Sequence, residues 1–98
     1  VRIVKVTEKG YAMDRLNELE FIRGYIYANI WTTHTIVKID PSNGNIVATL
    51  DLTPLATEAR NAYPGTMETN GIAWDSTSNT VYVTGKMWPK LYAVRIPL

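Results

Sequence analysis

Ile26-Tyr27-Ala28-Asn29 and Val81-Tyr82-Val83-Thr84 read as one strand written twice, 55 residues apart. Ile36-Val37-Lys38-Ile39 and Leu91-Tyr92-Ala93-Val94 repeat at the same offset, and Asn17 and Asn70, each opening a strand, repeat at an offset of 53. Self-similarity at a fixed period points to a modular architecture before any side-chain chemistry is considered. Around these pairs the chain runs in short alternating segments rich in Val, Ile, Tyr and Thr, the period-2 pattern of half-buried strands. The segments fall at residues 2–7, 16–22, 25–31, 35–40, 46–52, 70–75, 81–86 and 91–96. Arg23-Gly24, Thr32-Thr33-His34, Pro41-Ser42-Asn43-Gly44 and Asp75-Ser76-Thr77-Ser78-Asn79 separate them. The first three separators are short enough for hairpins, so neighbouring strands should pair antiparallel as a meander. One stretch differs. Thr53-Pro54 offers an N-cap followed by proline, Leu55-Ala56-Thr57-Glu58-Ala59-Arg60 favours one or two helical turns, and Tyr63-Pro64-Gly65 ends them.

Four strands in about 50 residues is the size of a β-propeller blade. The sequence therefore predicts an all-β chain, a propeller segment of about two four-stranded antiparallel blades with one short helical insertion. Residues 1–15 would hold the outer strand of a preceding blade and a connection, 16–52 a complete blade, 53–68 the insertion, and 69–98 three strands of the next blade. Blades bury both faces against their neighbours. Two of them leave an apolar face uncovered at either end, so the remaining blades or other copies of the chain are the expected partners. An unrelated β-sandwich would account for the strands but not for the repeat.

Composition narrows the chemistry. Ten Lys+Arg against nine Asp+Glu give the 98-residue chain a net charge of +1. Without a basic cluster it lacks the footprint expected of a protein that binds nucleic acid or an anionic membrane. There is no cysteine, which removes disulfides, thiolate metal sites and thiol nucleophiles. No stretch approaches ~20 consecutive apolar residues, and Val1-Arg2-Ile3-Val4-Lys5-Val6 lacks the apolar core of a signal peptide. Six Tyr and three Trp against one Phe favour aromatics that carry a polar handle.

Equivalent positions in successive blades share a height and radius, so Asn17 and Asn70 should flank one central region, and so should Trp31 and Lys86, which align at the offset of 55. With Trp88 they would line a mouth of apolar walls and a few placed polar groups, as small-ligand sites are built. Each residue also has a plainer reading. An Asn at a strand start often caps a turn, Trp31 could pack blade to blade, and a lysine at a strand end is usually solvated. His34 stands alone in a hairpin turn, which argues against a metal site or a Ser-His-Asp arrangement built on it. Glu18 and Glu20 resemble a carboxylate pair, but two-residue spacing is also that of any polar strand face.

Five runs together resemble one family. Leu16-Asn17-Glu18-Leu19-Glu20, Gly24-Tyr25-Ile26-Tyr27-Ala28-Asn29-Ile30-Trp31, Ile39-Asp40-Pro41, Asn70-Gly71-Ile72-Ala73 and Val83-Thr84-Gly85-Lys86-Met87-Trp88-Pro89-Lys90-Leu91-Tyr92 look like the plant-type and bacterial glutamine cyclotransferases. The resemblance implies a five-bladed propeller, of which this chain looks like the carboxyl-terminal two blades, and a reaction on peptides with an N-terminal glutamine. There the α-amine attacks the side-chain carboxamide, giving pyroglutamate and ammonia without a metal or organic cofactor. By the same resemblance Asn17 and Lys86 are catalytic, Asn17 holding the substrate or the developing oxyanion and Lys86 polarising the carboxamide, with Trp31 in the pocket wall. Trp88 and Asn70 join them as substrate-binding candidates from their place at the mouth. The resemblance also implies a periplasmic or secreted location. The family's Phe-Thr-Gln-Gly type motif and its acid/base glutamate have no counterpart in these residues, so an isolated copy is expected to show little or no turnover. The alternative is a non-catalytic propeller segment that self-assembles as a structural or binding module.

Overall fold

The computed structural model describes residues 2–95, and among them the blade repeat takes the form of two consecutive antiparallel sheets. A small hairpin comes first, β1 (Thr7–Glu8) with β2 (Tyr11–Ala12). The first large sheet is a four-stranded meander in the order β3 (Leu16–Ile22), β4 (Tyr25–Ile30), β5 (Thr35–Ile39) and β6 (Ile46–Asp51). Helix α1 (Thr53–Ala62) follows. The second large sheet runs β7 (Thr69–Asp75), β8 (Thr80–Gly85) and β9 (Tyr92–Val94). Sequence patterning extended the last strand to Ile96, which lies outside the described residues.

Turn chemistry sets the register. Ile22 pairs with Tyr25, leaving Arg23 and Gly24 as the two loop residues, at φ 47° and 87°. Positive φ at both positions is what a type I′ turn requires, and its twist matches that of the strands it joins. Period-2 alternation then divides β4 between two cores. Tyr27 faces the second sheet and packs with Ile22, Ile36, Leu52, Ile72, Val81 and Val83. Ala28 and Ile30 face the other way, with Val37 and Ile39. The first core is the joint between the two sheets, with β3 and β7 as adjacent innermost strands.

Two expectations are corrected. Residues 2–6 form no strand, although their alternating Ile, Val, Arg and Lys read as one. A strand needs a ladder partner for its N–H and C=O groups, and this segment meets the Asp40–Asn45 turn instead. Thr7 N donates to Gly44 O at 3.0 Å, the Arg2 guanidinium donates to Pro41 O, and Val6 covers the second core. The alternation therefore records one-sided burial against a turn. The second correction concerns the helix, which is ten residues long and begins after Leu52 rather than Thr53. Thr53 is its first residue and donates both N–H and Oγ1–H to Asp51 Oδ1, at 2.9 and 2.6 Å. At the far end Tyr63, extended before proline as sterics require, closes the last turn by donating to Ala59 O at 2.9 Å.

Candidate functional site

Each innermost strand opens with the same irregularity. Between Leu16 and Leu19 the pairing of β3 with β4 slips by one residue, and between Thr69 and Ile72 the pairing of β7 with β8 slips likewise. A β-bulge of this kind re-aims a side chain, and each bulge carries an asparagine, Asn17 in one and Asn70 in the other. The two meet across the sheets, where Asn17 Nδ2 donates to Asn70 Oδ1 at 3.0 Å. The repeat read from sequence thus becomes a direct contact. Asn17 keeps its carbonyl oxygen and one N–H for another partner.

Trp31 and Lys86 occupy equivalent places beside these bulges. Trp31 follows β4 and donates its backbone N–H to Arg15 O at 2.7 Å, while Lys86 follows β8 and donates to Glu68 O at 3.0 Å. Both backbones are pinned one residue before an inner strand begins, and both side chains are exposed, Trp31 by 53%. No ion pair holds Lys86 among the described residues. The structure therefore brings Asn17, Asn70, Trp31 and Lys86 to the same end of the two sheets, with an open amine and an open indole face.

Trp88 is differently placed. Its indole N–H donates to Met67 O at 2.8 Å, its ring lies over Gly85, and it meets Tyr92 edge to face, with centroids 5.8 Å apart. These contacts fasten the segment after β8 onto the start of β7 and leave its donor occupied. Glu18 is exposed, whereas Glu20 links the sheets, with Oε2 accepting from Trp74 N at 3.1 Å and Oε1 from Phe21 N at 3.2 Å. The two carboxylates do not act as a pair. His34 joins the sheets as well, its Nδ1 lying 2.8 Å from Thr69 Oγ1, next to Asn70.

Patterning overlooked Asn29. It is fully buried in β4, and its Oδ1 accepts the Gly71 N–H at 3.1 Å, while its Nδ2 has no partner among the described residues. The available signal was a lone amide inside the apolar run Tyr25 to Ile30. Gly71 was quoted only as part of a motif, yet its φ of 138° is open to glycine alone in practice.

Among the described residues no three His, Asp or Glu side chains are grouped to hold a metal ion. A concavity of about 560 Å³ lined by Ser78, Asn79, Thr80, Ala93, Val94 and Arg95 lies at the opposite end of the β7–β8 hairpin. The shifted carboxyls lie at strand ends and in a turn, where each is held by its own local hydrogen bonds. Asp40, Asp51 and Asp75 are held below the ordinary carboxylate value by hydrogen bonds from the hydroxyls of Ser42, Thr53 and Ser78 and from backbone N–H groups.

The family model of glutamine cyclotransferases matches residues 1–96. The chain belongs to the glutamine cyclotransferase family. It is 37% identical over 100 residues to a glutaminyl-peptide cyclotransferase of Arabidopsis thaliana, covering 95% of this chain and 31% of that protein. It also superposes on the crystal structure of the Myxococcus xanthus glutaminyl cyclase with a TM-score of 0.85 at 37% identity, over 94% of this chain and 40% of the other. The chain thus spans well under half the length of either relative. Its two sheets are the propeller-like segment expected for a glutamine cyclotransferase.

Proposed function

We propose that the protein carrying this chain is a glutaminyl-peptide cyclotransferase, and that Asn17, Asn70, Trp31 and Lys86 form part of its substrate pocket. The observation that carries the reading is the Asn17–Asn70 contact at twin bulges, flanked by Trp31 and Lys86, in a glutamine cyclotransferase. The α-amine of an N-terminal glutamine attacks its own carboxamide carbon. The new C–N bond closes the five-membered ring, charge gathers on the carboxamide oxygen, and the C–NH2 bond breaks as nitrogen takes up a proton and leaves as ammonia. Such a path needs a donor aimed at the developing oxyanion and a group that moves the proton. Lys86 supplies the donor. Asn17, one N–H fixed by Asn70, presents its carbonyl oxygen to the attacking amine and its second N–H to the substrate. Trp31 forms the apolar wall. The proton-moving group comes from outside this chain. Membership in an enzyme family lends nothing to the non-catalytic alternative.

The test is ammonia release from a glutaminyl dipeptide beside the same dipeptide with its amine blocked, using the full-length gene product. Release from the free peptide alone is expected. Equal release from both would mean simple amide hydrolysis, and release from neither would overturn the assignment.

A further inference from the structure

We infer that Asn29 is a positioning residue for the reaction proposed above, holding the Asn70–Gly71 bulge in the register that places Asn70 against Asn17. Leu16 pairs with Ile30 and Leu19 with Ala28, so Asn29 stands on β4 opposite the bulged residues Asn17 and Glu18. Its carboxamide crosses to the other sheet and accepts the N–H of Gly71, inside the second bulge, at 3.1 Å. One fully buried side chain therefore sits across from the first bulge and is hydrogen-bonded to the second.

The acceptor role of Oδ1 is fixed by its partner, because a backbone N–H can only donate. The ladder cannot satisfy that N–H, since the bulge interrupts pairing between Thr69 and Ile72. Asn29 does so from the neighbouring blade, coupling the position of Asn70 to the sheet that carries Asn17. The equivalent position in the second sheet is Thr84, whose Oγ1 donates to Lys90 O at 3.0 Å, in the connection to β9. Nδ2 has no partner among the described residues, so a neutral carboxyl group in its place removes no hydrogen bond seen among them.

The experiment compares Asn29→Ala, Asn29→Leu and Asn29→Asp in the full-length protein, with glutaminyl dipeptide as substrate and circular dichroism as the check on folding. Asn29→Leu removes the acceptor with the same number of side-chain heavy atoms, and Asn29→Asp keeps it as the neutral acid, which burial favours over the carboxylate. The expected result is a kcat lowered about 10- to 100-fold in the Ala and Leu variants with KM within about threefold, the size of loss that sub-ångström to ångström misplacement produces. Asn29→Asp should stay within about fivefold of the wild type. In an Asn70→Ala background, Asn29→Ala should cost less than about threefold more, because residues acting through one another are not additive. Unchanged kcat in the Ala and Leu variants, an Asp variant as impaired as Ala, additive losses in the double variant, or failure of both Ala and Leu variants to fold would each overturn the inference. A wild type without turnover removes the functional reading first and is seen before any variant is measured.

Discussion

Replacing Gly71 with alanine strikes the bulge that carries Asn70, and the cost can be built up from three contributions. A φ of 138° is a backbone region that residues with a Cβ occupy only under strain, worth about 1–3 kcal/mol. The new methyl would stand 3.0 Å from Thr84 Cγ2, close enough that the neighbour must give way by a few tenths of an ångström. Thr84 resists, because rotating its methyl aside breaks the 3.0 Å bond from its hydroxyl to Lys90 O, roughly 1 kcal/mol for such a bond. If the bulge relaxes instead, the Gly71 N–H leaves Asn29 and the buried Oδ1 of Asn29 goes unpaired. The total is about 2–4 kcal/mol, a large part of the ~5–15 kcal/mol that stabilises a typical domain. Urea denaturation of Gly71→Ala should show the extrapolated unfolding free energy falling by that amount, through a lower midpoint at an unchanged slope. Thr84→Ser, which keeps the hydroxyl and deletes the methyl, should recover about 1 kcal/mol of it in the double variant. A loss below about 0.5 kcal/mol for Gly71→Ala would refute the claim that the bulge is rigidly specified, and no recovery in the double variant would refute the role given to Thr84.

Lys86→Met should lower kcat about 100- to 1000-fold, the loss seen when one oxyanion donor is removed, with thermal stability unchanged because the side chain is exposed and unpaired among the described residues. Trp88→Phe removes the 2.8 Å bond to Met67 O and should destabilise by about 1–2 kcal/mol; a raised KM without loss of stability would return Trp88 to the pocket wall. Asp40, Asp51 and Asp75 have folded-state pKa values below the ordinary 3.8, so their contribution to stability is complete above that value and is lost as pH falls through the lower folded values. Asp51→Asn should flatten the acid limb of a denaturation series below about pH 4, and an unaltered limb would contradict the role of the Thr53 hydrogen bonds.

What could be read from the sequence was whatever repeats along it. The strands of both large sheets follow from alternation, because a side chain on a pleated strand has only two faces to choose between. The joint position of Asn17 and Asn70 follows from the repeat, because equivalent residues of adjacent blades must lie near one another. The first segment misled for a related reason: alternation reports that one side is buried but not what buries it, and the Asp40–Asn45 turn leaves the same trace in Val4 and Val6 as a neighbouring strand would. The helix start misled because a threonine before proline fits a cap as well as a first helical turn, and Thr53 takes the second place, donating to Asp51 Oδ1 rather than accepting. The bulges leave no mark in the apolar pattern, since a one-residue slip at a strand end moves a single asparagine. Asn29 follows from that same blindness. Its partner, Gly71, lies 42 residues on in another blade, and nothing local relates an amide in one apolar run to a glycine in the next. The part of the site that two sheets build jointly is thus visible only once both have folded, and it is there that substitutions far from any recognisable motif should alter turnover.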